Sequence, residues 1–590
     1  MKSKIILLTN FRSVFGNICI ENIYNNNINC FVYVLSNNPY TLKTKQQKRK
    51  NFFSFLNRKK KLKNLSFLYH DRTISLLEEL KMNYSIIQKI DSFLFKELIK
   101  FKPEAIILGD TPIISKECLD IAKQYEIPVI NLHAAELPNY RGNYSTYAMV
   151  KDKQKLCMTY HKIDAKIDGG QILDKFFLTN ELSRSDTYFT AERKLYIYGI
   201  KHFFENLSLY IKKAKEYIED IDKELLAQVK IDINDRDKIK LNFQNYLEKV
   251  YNIKQKKLDK NEFVLNLLNK NTKKSKQVIK NSIDIDKITK QLFLEFEDDL
   301  TENDKKYGLF HVNASKVYKN ILDIKNNIIY PANKKWCVIL SHDVDIIPQS
   351  MDNIKKAFEI EKKYDVTSTY LLAALETLEK RHEYDPTYIL DEPLTKELIY
   401  YIVANNHEIG LHGSFNSFNN FELLKTEKRR LESFIGMEIK SIRQHYLNFD
   451  RIKTPKTQNS VGFVIDSSLG FPTDVGIRTG YGGPFYFYDE EKKNGLSLLH
   501  IPYLIMDQNI MWNEKLENKS YKHKLDYFKA LIKKAKKYNI PVILDWHLHT
   551  IELNEWWDIY EDILQYLTQD KTCAIMNMEQ FYYSYSILNN

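Results

Sequence analysis

The sequence predicts an α/β fold in three parts: an N-terminal Rossmann-like domain, a charged helical connector and a C-terminal distorted (β/α) barrel. Short apolar runs alternate with amphipathic helical segments in both halves of the chain. Polar residues cluster directly after several of these runs, and the stretch between the halves contains almost no Gly or Pro. A chain of 590 residues has room for two or more domains. We place the boundaries at 1–215, 216–325 and 326–590.

Composition restricts the classes of function. The net charge of +12 suits partners that carry phosphates but is weak support for nucleic acid, and we expect none. The six cysteines are scattered without a Cys-x-x-Cys pair, so neither a disulfide framework nor a zinc knuckle is expected. The apolar run at 5–8 is too short for a signal peptide, and no stretch approaches a membrane span. We therefore expect a cytoplasmic protein.

The N-terminal half reads as alternating strands and helices. We predict strands at 4–9, 30–35, 104–109 and 127–130, and helices at 75–100 and 115–125. This order indicates βαβ units and a parallel sheet with right-handed crossovers. A basic run at 41–64 is either a solvated insertion loop or a segment that binds a pyrophosphate or an anionic glycolipid surface.

The strand at 127–130 leads into a polar pair, Asn131 and His133. Residues two apart on a strand share a face, and ligands of open parallel sheets bind beyond the carboxyl ends of the strands. A neutral imidazole beside an amide donor could stabilise the oxyanion of an acyl transfer. A lone Asn-x-His pattern is, however, more often a satisfied histidine beside a loop.

The continuation of this pattern carries a family resemblance. Asn-Leu-His at 131–133 is followed by Leu-Pro-Asn-Tyr-Arg-Gly at 137–142, Thr-Tyr-His at 159–161 and Asp-Gly-Gly-Gln-Ile-Leu at 168–173. Over roughly residues 1–210 the chain resembles the folate-dependent formyltransferases, which include the methionyl-tRNA, glycinamide ribonucleotide and sugar-nucleotide N-formyltransferases. The resemblance implies that Asn131, His133 and Asp168 are catalytic. It also implies that 10-formyltetrahydrofolate is bound by Leu137, Pro138, Arg141 and Gly142. Ala135-Glu136 departs from the usual Ser-Leu of the family.

The C-terminal half repeats the pattern of apolar runs that end in polar clusters. A strand at 337–340 leads into Ser-His-Asp-Val-Asp at 341–345, and later clusters lie at 407–414, 442–446 and 542–549. Helical segments at 353–363, 421–435 and 521–537 separate them, which favours a distorted barrel whose site is built from the strand ends. Asp343 and Asp345 could act as base and metal ligand, with His412 and His445 as candidate imidazole ligands.

From about residue 336 to 557 the chain also resembles the polysaccharide deacetylases, metal-dependent carbohydrate esterases with a partial (β/α) barrel. It is closest to a branch marked by His-Asp-Val-Asp, Glu-Ile-Gly-Leu-His-x-Ser, Arg-Gln-His-Tyr-Leu and Trp-His, all of which are present. The resemblance implies these roles: Asp343 is the general base, Asp345 and His412 are metal ligands, Arg443 orients the base, and His547 is the general acid.

One position departs from the deacetylase pattern. The family has a second ligating His four residues after the first, where this chain has Asn416. The third ligand of a divalent metal, which we expect to be zinc, is therefore either Asn416 or His445. His549 is an alternative acid to His547, since the two would share a face of a strand. For Asp466 and Arg478 we expect structural or substrate-contact roles.

The two resemblances together predict a bifunctional enzyme. One half would remove an acetyl group from an acetamido sugar, and the other would formylate the freed amine from 10-formyltetrahydrofolate. The substrate would be a nucleotide-linked or lipid-linked amino sugar of the kind used in surface polysaccharides, including lipopolysaccharide. Two alternatives stay open: a sugar N-formyltransferase whose second half only binds glycans, and a methionyl-tRNA formyltransferase. The sequence leaves the oligomeric state undetermined.

Overall fold

A computed structural model describes residues 4–36, 73–216, 229–254 and 334–586, with short gaps inside these ranges. The gaps are at 12, 184–185, 349, 451, 473–474, 476, 478–481, 490, 513–515 and 538–539. The basic run at 41–64, most of the predicted connector and Arg478 therefore lie outside the described residues. Contacts divide the chain into two compact units, Met1–Gln255 and Lys256–Asn590.

The first unit is built on one mixed sheet. Its described strands are β1 (Lys4–Asn10), β2 (Asn29–Leu35), β3 (Asn83–Ile87), β4 (Ala105–Gly109), β5 (Val129–His133), β6 (Cys157–Lys162) and β7 (Gln171–Phe177). They lie in the order β3-β2-β1-β4-β5-β6-β7. The first five are parallel, whereas β6 and β7 are antiparallel. This arrangement leaves the carboxyl end of β5 beside the start of β6.

Helices cover the first sheet. Within the described residues they are α1 (Val14–Asn25), α2 (Thr73–Glu79), α3 (Ser92–Lys100), α4 (Lys116–Gln124), α5 (Ser145–Lys151), α6 (Tyr188–Glu205), α7 (Leu207–Lys215), α8 (Ile233–Leu241) and α9 (Phe243–Tyr251). Ser115 caps α4 by accepting a hydrogen bond from the backbone N–H of Cys118, and Asp91 caps α3 in the same way at Leu94. Apolar side chains of α3 and α4, among them Phe95 and Cys118, are buried with those of β1 and β4.

The predicted helix at 75–100 is wrong in its middle. The chain there forms α2, strand β3 and then α3. Strand β3 is the edge of the sheet, pairs in parallel with β2 and is only partly buried. An edge strand with little burial has no strong two-residue periodicity, so the flanking helical pattern dominated the interpretation.

Part of the predicted connector packs against the first unit. The Tyr246 hydroxyl donates to the Gln154 carbonyl (2.7 Å), and the backbone N–H of Leu156 donates to the Tyr251 hydroxyl (2.7 Å). Helices α8 and α9 thus extend this unit beyond residue 215. The boundary of the connector on its C-terminal side remains a prediction.

The second unit is built on a larger, curled sheet. Its described strands are β8 (Trp336–Val344), β9 (Thr369–Leu372), β10 (Glu408–Gly413), β11 (Ser441–Gln444), β12 (Ile465–Asp466), β13 (Phe485–Asp489), β14 (Asn494–His500), β15 (Tyr503–Met506), β16 (Val542–Asp545) and β17 (Cys573–Met576). The order is β13-β14-β12-β11-β10-β9-β8-β16-β15, with β17 also on β8. Every described pairing except β13 with β14 is parallel. The end strands β13 and β15 do not pair in the described residues, so this barrel is incomplete.

Helices alternate with these strands. Those that the structure describes are α10 (Met351–Lys363), α11 (Pro393–Ala404), α12 (Phe421–Ile435), α13 (Lys453–Val461), α14 (Gln508–Met511), α15 (Tyr521–Lys537), α16 (Asn554–Gln569) and α17 (Met578–Ser586). Strand β8 is buried along its whole length, which is typical of a central parallel strand covered on both faces. Among the described residues, none of the helices combines the length and apolarity that crossing a bilayer requires.

Candidate active sites

The carboxyl end of β5 brings Asn131 close to a histidine that sequence reasoning did not assign to the site. The Asn131 side-chain nitrogen lies 3.1 Å from Nε2 of His161 on β6. The other ring nitrogen of His161 lies 2.9 Å from the Gly169 carbonyl oxygen, which can only accept. His161 Nδ1 therefore carries the proton, and Nε2 accepts from Asn131. Burial, together with His133, lowers the pKa of His161 to about 4, so the ring is neutral near pH 7.

The contact with His161 fixes the orientation of the Asn131 amide. One of its N–H groups is held by the imidazole, so the second is free to point at a reacting oxygen. An amide that is held in place in advance is the kind of donor that stabilises an oxyanion.

His133 has an acceptor at each ring nitrogen. Nε2 lies 2.7 Å from the Tyr140 carbonyl oxygen, and Nδ1 lies 3.5 Å from the Asp168 carboxylate. The Tyr140 carbonyl keeps a proton on Nε2. A second proton, on Nδ1, would face Asp168. The site can therefore accept a proton during a reaction and hold it between His133 and Asp168.

Two loops place Asp168 beside His133. The backbone N–H of Gly142 donates to Asp168 Oδ2 at 2.7 Å, which joins the loop after β5 to the loop before β7. Gly170 has φ +96°, and a Cβ at this position would lie 2.1 Å from the Lys162 carbonyl oxygen. Only glycine fits this turn, which is why Gly follows the Asp two positions later.

The residues predicted to bind the folate donor hold the same loops together. The Arg141 side chain donates through Nε to the Ile167 carbonyl oxygen at 2.9 Å. Leu137 is buried, and its N–H donates to the Thr159 hydroxyl at 3.1 Å. Pro138 is half-buried beside it. These contacts support the shape of the loop, and the binding of the donor by Leu137, Pro138, Arg141 and Gly142 remains a prediction.

In the second unit, three predicted metal ligands converge. Asp345 Oδ1 lies 3.2 Å from Nε2 of His412 and 3.3 Å from Nε2 of His445. The ligand atoms of the three residues all lie within 4.8 Å of one another. Tetrahedral zinc with ligands near 2.0 Å separates neighbouring ligand atoms by about 3.3 Å. The spacing therefore fits a zinc ion.

Hydrogen bonding at this cluster also suits a metal. His412 donates from Nδ1 to the Arg443 carbonyl oxygen at 3.0 Å, which leaves the Nε2 lone pair facing the cluster. Asp345 Oδ1 is buried, and although both imidazole nitrogens lie within 3.3 Å of it, neither makes a well-aligned hydrogen bond to it. Burial would raise the pKa of Asp345, but His445 and His412 hold it well below its usual value. The carboxylate is therefore ionised, as a metal ligand must be.

The structure separates the two candidates for the third ligand. His445 lies in the cluster, whereas Asn416 is exposed on the loop after β10. The His445 side chain is only 8% exposed. The geometry favours His445, and the metal itself remains a prediction.

The candidate acid, His547, is held by a buried aspartate. Its Nδ1 donates to Asp507 Oδ1 at 2.7 Å, and its backbone N–H donates to Asp507 Oδ2 at 2.9 Å. Its Nε2 points towards Asp345, 3.6 Å from Oδ2. Burial lowers the pKa of His547, but Asp507, Asp345 and Asp545 together raise it well above its usual value. These carboxylates favour the protonated form of the His547 imidazole, whose Nε2 is aimed at the cluster.

His549 is less suited to act as the acid. Burial and the neighbouring His547 lower its pKa. The two rings lie 5.5 Å apart. A group whose pKa is lowered holds its proton less well near pH 7. His547, which Asp507 orients and whose Nε2 faces Asp345, is therefore the better candidate for the acid.

The candidate base, Asp343, shares an arginine with a second aspartate. Arg443 Nη1 lies 2.6 Å from both Asp343 Oδ1 and Asp545 Oδ1. Arg443 is fully buried and lies over the Tyr503 ring at 4.4 Å. Burial raises the pKa of Asp343, and Arg443 partly opposes the rise. The guanidinium leaves one oxygen of Asp343, Oδ2, on the side of His412 (3.9 Å).

The remaining polar residue of the Ser-His-Asp-Val-Asp run, His342, points to the opposite face of β8. It donates to the Trp546 carbonyl oxygen (2.6 Å) and to Glu361 on α10 (3.0 Å). Both partners are acceptors, so His342 carries protons on both nitrogens. Neighbouring residues on a strand point to opposite faces. Asp343 and Asp345 therefore lie at the candidate site, whereas His342 packs against Glu361 on the other side of the strand.

Sequence reasoning missed the supporting residues of both sites, namely His161, Asp507, Asp545 and Tyr503. His161 belongs to the Thr-Tyr-His motif at 159–161, so the sequence could have identified it as a residue of the site. Asp507 and Asp545 each follow a short apolar run, as the predicted metal ligands do. This position at the end of a predicted strand is the sequence pattern from which they could have been identified. Asp466 is buried against His500 (2.8 Å), on β12 and β14. This contact gives Asp466 a structural role.

Comparison with known proteins gives matches of both expected kinds, although no protein-family model matches the chain. The methionyl-tRNA formyltransferase of Flavobacterium psychrophilum is 33% identical over 131 residues, which are 22% of this chain and 40% of that protein. The chain therefore spans less than half the length of this curated relative.

Two solved structures illustrate the other similarities. A protein of Mycobacterium smegmatis assigned as a polysaccharide deacetylase is 15% identical, with a TM-score of 0.34, over 44% of this chain and 93% of that one. The formyltransferase PseJ of Anoxybacillus kamchatkensis is 25% identical, with a TM-score of 0.21, over 28% of this chain and 80% of that one. It was solved with UDP-4,6-dideoxy-4-formamido-L-AltNAc and tetrahydrofolate. The two described sheets and the helices that alternate with their strands confirm the α/β fold class. The chain is similar to a methionyl-tRNA formyltransferase and, among solved structures, to formyltransferases and a polysaccharide deacetylase, the two resemblances that its motifs indicated.

Proposed function

We propose that this chain is a bifunctional enzyme that removes an acetyl group from an acetamido sugar and formylates the freed amine. The observation that carries the proposal is the second unit's strand-end constellation. There the candidate ligands Asp345, His412 and His445 lie between a buried base and a buried acid. The group of Asn131, His133 and Asp168 supplies the acyl-transfer chemistry of the first unit.

The deacetylation step would use the residues of the second unit in fixed roles. Asp345, His412 and His445 would hold a divalent metal, which would polarise the acetyl carbonyl and activate water. Asp343 would accept the proton of the attacking water, and Arg443 would hold Asp343 in place. As the C–N bond breaks, His547 would donate its proton to the leaving amine. The products are acetate and the free amino sugar.

The formylation step would use the residues of the first unit. The unprotonated amine attacks the formyl carbon of 10-formyltetrahydrofolate, a C–N bond forms, and the bond from that carbon to the folate nitrogen breaks. The free N–H of Asn131 would stabilise the oxyanion, because His161 holds the amide in place. His133 and Asp168 would take the proton that the amine loses and pass it to the folate nitrogen.

The substrate that suits both steps is an amino sugar carried by a nucleotide or a lipid, in the assembly of surface polysaccharides such as lipopolysaccharide. A folate donor argues for a cytoplasmic reaction. Carrying both sites on one polypeptide would raise the local concentration of the free amine near the second site.

Mass spectrometry of the full chain with UDP- and dTDP-linked acetamido sugars tests the proposal. Without the folate donor but with zinc, we expect loss of C2H2O from one of the sugars. Addition of 10-formyltetrahydrofolate should then add CO to the product. Formylation of a supplied amino sugar without any loss of acetyl, under zinc, cobalt or nickel, would contradict the deacetylase assignment. It would also leave the second unit as a glycan-binding module.

A further inference from the structure

An aromatic cluster lies beside the candidate metal ligands and has no part in the chemistry described above. It consists of His382, Tyr384, Phe415 and Tyr446. The Tyr384 ring centroid lies 5.1 Å from that of Phe415 and 4.9 Å from that of Tyr446. His382 stacks on Phe415 at 4.5 Å. Two of these rings face solvent: Tyr384 is 43% exposed and Tyr446 is 54% exposed.

The fold explains why these four residues meet. His382 and Tyr384 lie on the loop after β9, Phe415 lies on the loop after β10, and Tyr446 follows β11. The three strands are adjacent and parallel. Their following loops therefore emerge at the edge of the sheet where His412 and His445 lie. The His445 and Tyr446 rings are 5.5 Å apart, so the cluster is continuous with the candidate metal ligands.

The backbone at Tyr446 is held in an unfavourable conformation. Tyr446 has φ +60° and Leu447 has φ +51°, a region that bulky side chains rarely adopt. This turn directs His445 into the ligand cluster and Leu447 into the core, and leaves Tyr446 at the surface. The Asn448 side chain secures the turn by donating to the Phe415 carbonyl oxygen at 2.9 Å. Strain of this kind is concentrated at functional sites.

The loop that carries Tyr384 is also fixed to the loop of Phe415. The backbone N–H of Phe415 donates to Asp385 Oδ1 at 2.6 Å, and the backbone N–H of His382 donates to Asp385 Oδ2 at 2.9 Å. The buried Asp385 carboxylate thus joins the loop after β9 to the loop after β10 through two hydrogen bonds. The exposed tyrosine rings are therefore held in position before any ligand arrives.

We propose that Tyr384, Phe415 and Tyr446 form a sugar subsite, on which the pyranose ring next to the scissile acetamido group lies with one C–H face on the aromatic rings. Aromatic side chains offer a large rigid apolar face at little entropic cost, and their hydroxyls can bond to sugar hydroxyls at the rim. This subsite rests on the proposed deacetylation and assigns the binding of the substrate's sugar ring to these three residues.

The ring geometry argues against a nucleobase held between the two exposed tyrosines. Sandwiching a planar base requires two parallel rings about 7 Å apart. The exposed Tyr384 and Tyr446 rings are only 4.9 Å apart and are inclined by 38°. A surface of tilted rings suits a puckered sugar that rests on one side.

Saturation-transfer NMR of the full chain in EDTA, where no turnover occurs, tests the subsite. The probes are the methyl glycosides of N-acetylglucosamine, N-acetylgalactosamine and N-acetylmannosamine, with UDP-N-acetylglucosamine as a further arm. We expect the strongest transfer to ring protons of one sugar face. Transfer to the uracil protons instead, or no ring-face transfer for any probe, would overturn the subsite.

The affinity of tyrosine variants for the sugar probes provides a second test of the subsite. Tyr446→Gly relieves the left-handed strain, so we expect it to keep or raise the thermal unfolding midpoint while it weakens binding about tenfold. Tyr384→Ala should weaken binding to a similar extent. The control is Tyr400→Ala, an exposed tyrosine on α11, and should leave binding unchanged. Unchanged affinity in both Tyr446→Gly and Tyr384→Ala would overturn the proposal.

Acetate release from the same sugars with added zinc keeps the two proposals distinguishable. Acetate release with unchanged affinity in the variants would reject the subsite alone. Ring-face binding that depends on the tyrosines, without acetate release under any of the metals, would reject deacetylation and leave the subsite in place.

Discussion

In both candidate sites, one nitrogen of an imidazole is held by an acceptor so that the other nitrogen has a defined task. His161 is held by the Gly169 carbonyl and orients Asn131, and His547 is held by Asp507. His412 is held by the Arg443 carbonyl, with its free lone pair towards Asp345. A histidine without such a partner could exchange tautomers and lose its role. The residues that hold these rings are therefore as testable as the rings themselves.

Replacing Asp507 tests the candidate acid. Asp507→Asn keeps the size of the side chain but removes the charge that favours the protonated imidazole of His547. We expect the kcat of deacetylation to fall by roughly a hundredfold or more, with little change in KM. Acetate release by the full chain measures the effect, and formylation of a supplied amino sugar should be unchanged. Asp526→Asn, at an exposed ion pair on α15, is the matched control. Deacetylation at the wild-type rate in Asp507→Asn would show that His547 does not need this partner.

His161 is expected to act through Asn131. His161→Phe removes the acceptor that orients the amide, and we expect the kcat of formylation to fall roughly ten- to a hundredfold, with KM for the folate donor little changed. His161→Gln retains an acceptor and should recover part of the rate. Steady-state kinetics of both variants measure this split. Equal losses in the two variants would indicate a role in folding only.

At the scale of elements, the sequence predicted those parts of the fold that have local signals. The helix predicted at 421–435 has the same bounds in the structure, where Asn420 caps its start and Gly436, at φ +71°, ends it. Strand β3 was missed because its identity comes from pairing with β2. Pairing depends on distant residues, and a single sequence does not reveal it.

The candidate sites divide in the same way. Asp343, Asp345 and His412 could be predicted because each stands at the end of an apolar run, in a recognisable motif. The pairing of Asp343 with Asp545 through Arg443 could not, because these residues are joined only when β8, β11 and β16 come together. The choice between Asn416 and His445 likewise required the loop conformations after β10 and β11.

One helix carries a pH-dependent contribution to stability. Glu427 on α12 is buried and accepts a hydrogen bond from the backbone N–H of Ser414 at 3.3 Å. Burial raises its pKa from 4.5 to about 7. The folded state disfavours the charged form of Glu427. The stabilisation that the neutral carboxyl adds to the free energy of unfolding is therefore fully present below about pH 4.5, and it is lost as the pH rises through about 7. The loss is up to roughly 3 kcal/mol.

Glu427→Gln should remove the part of the pH dependence that Glu427 causes, since the amide stays neutral and can still pair with Ser414. Urea unfolding between about pH 5 and about pH 8 measures it. The five tryptophans all lie between residues 336 and 557, so their fluorescence reports on the second unit. Glu422→Gln, at an exposed position of the same helix, is the control. The same loss of stability with pH in Glu427→Gln as in the wild type would contradict the assignment.

At the scale of the whole molecule, two separate sites predict separable losses. His133→Asn should lower formylation by at least about a hundredfold and leave acetate release intact, so that the free amine accumulates. Asp345→Ala should abolish acetate release and leave formylation of a supplied amine intact. Both products are measured by mass spectrometry of one reaction. If either substitution silenced both activities in a folded protein, the assignment of two independent sites would be wrong.

The pairing of β8 has a consequence for how the chain is made. This strand supplies Asp343, yet it pairs with β9, with β16 and with β17, where Trp336 lies opposite Cys573. During synthesis, β8 leaves the ribosome more than two hundred residues before β17 does. Its edges, which carry backbone N–H and C=O groups, must wait for those late partners, whereas every strand that the structure describes in the first sheet is complete by residue 177. We therefore expect the described N-terminal sheet to be able to form on the nascent chain while β8 still lacks two of its three partners, β16 and β17.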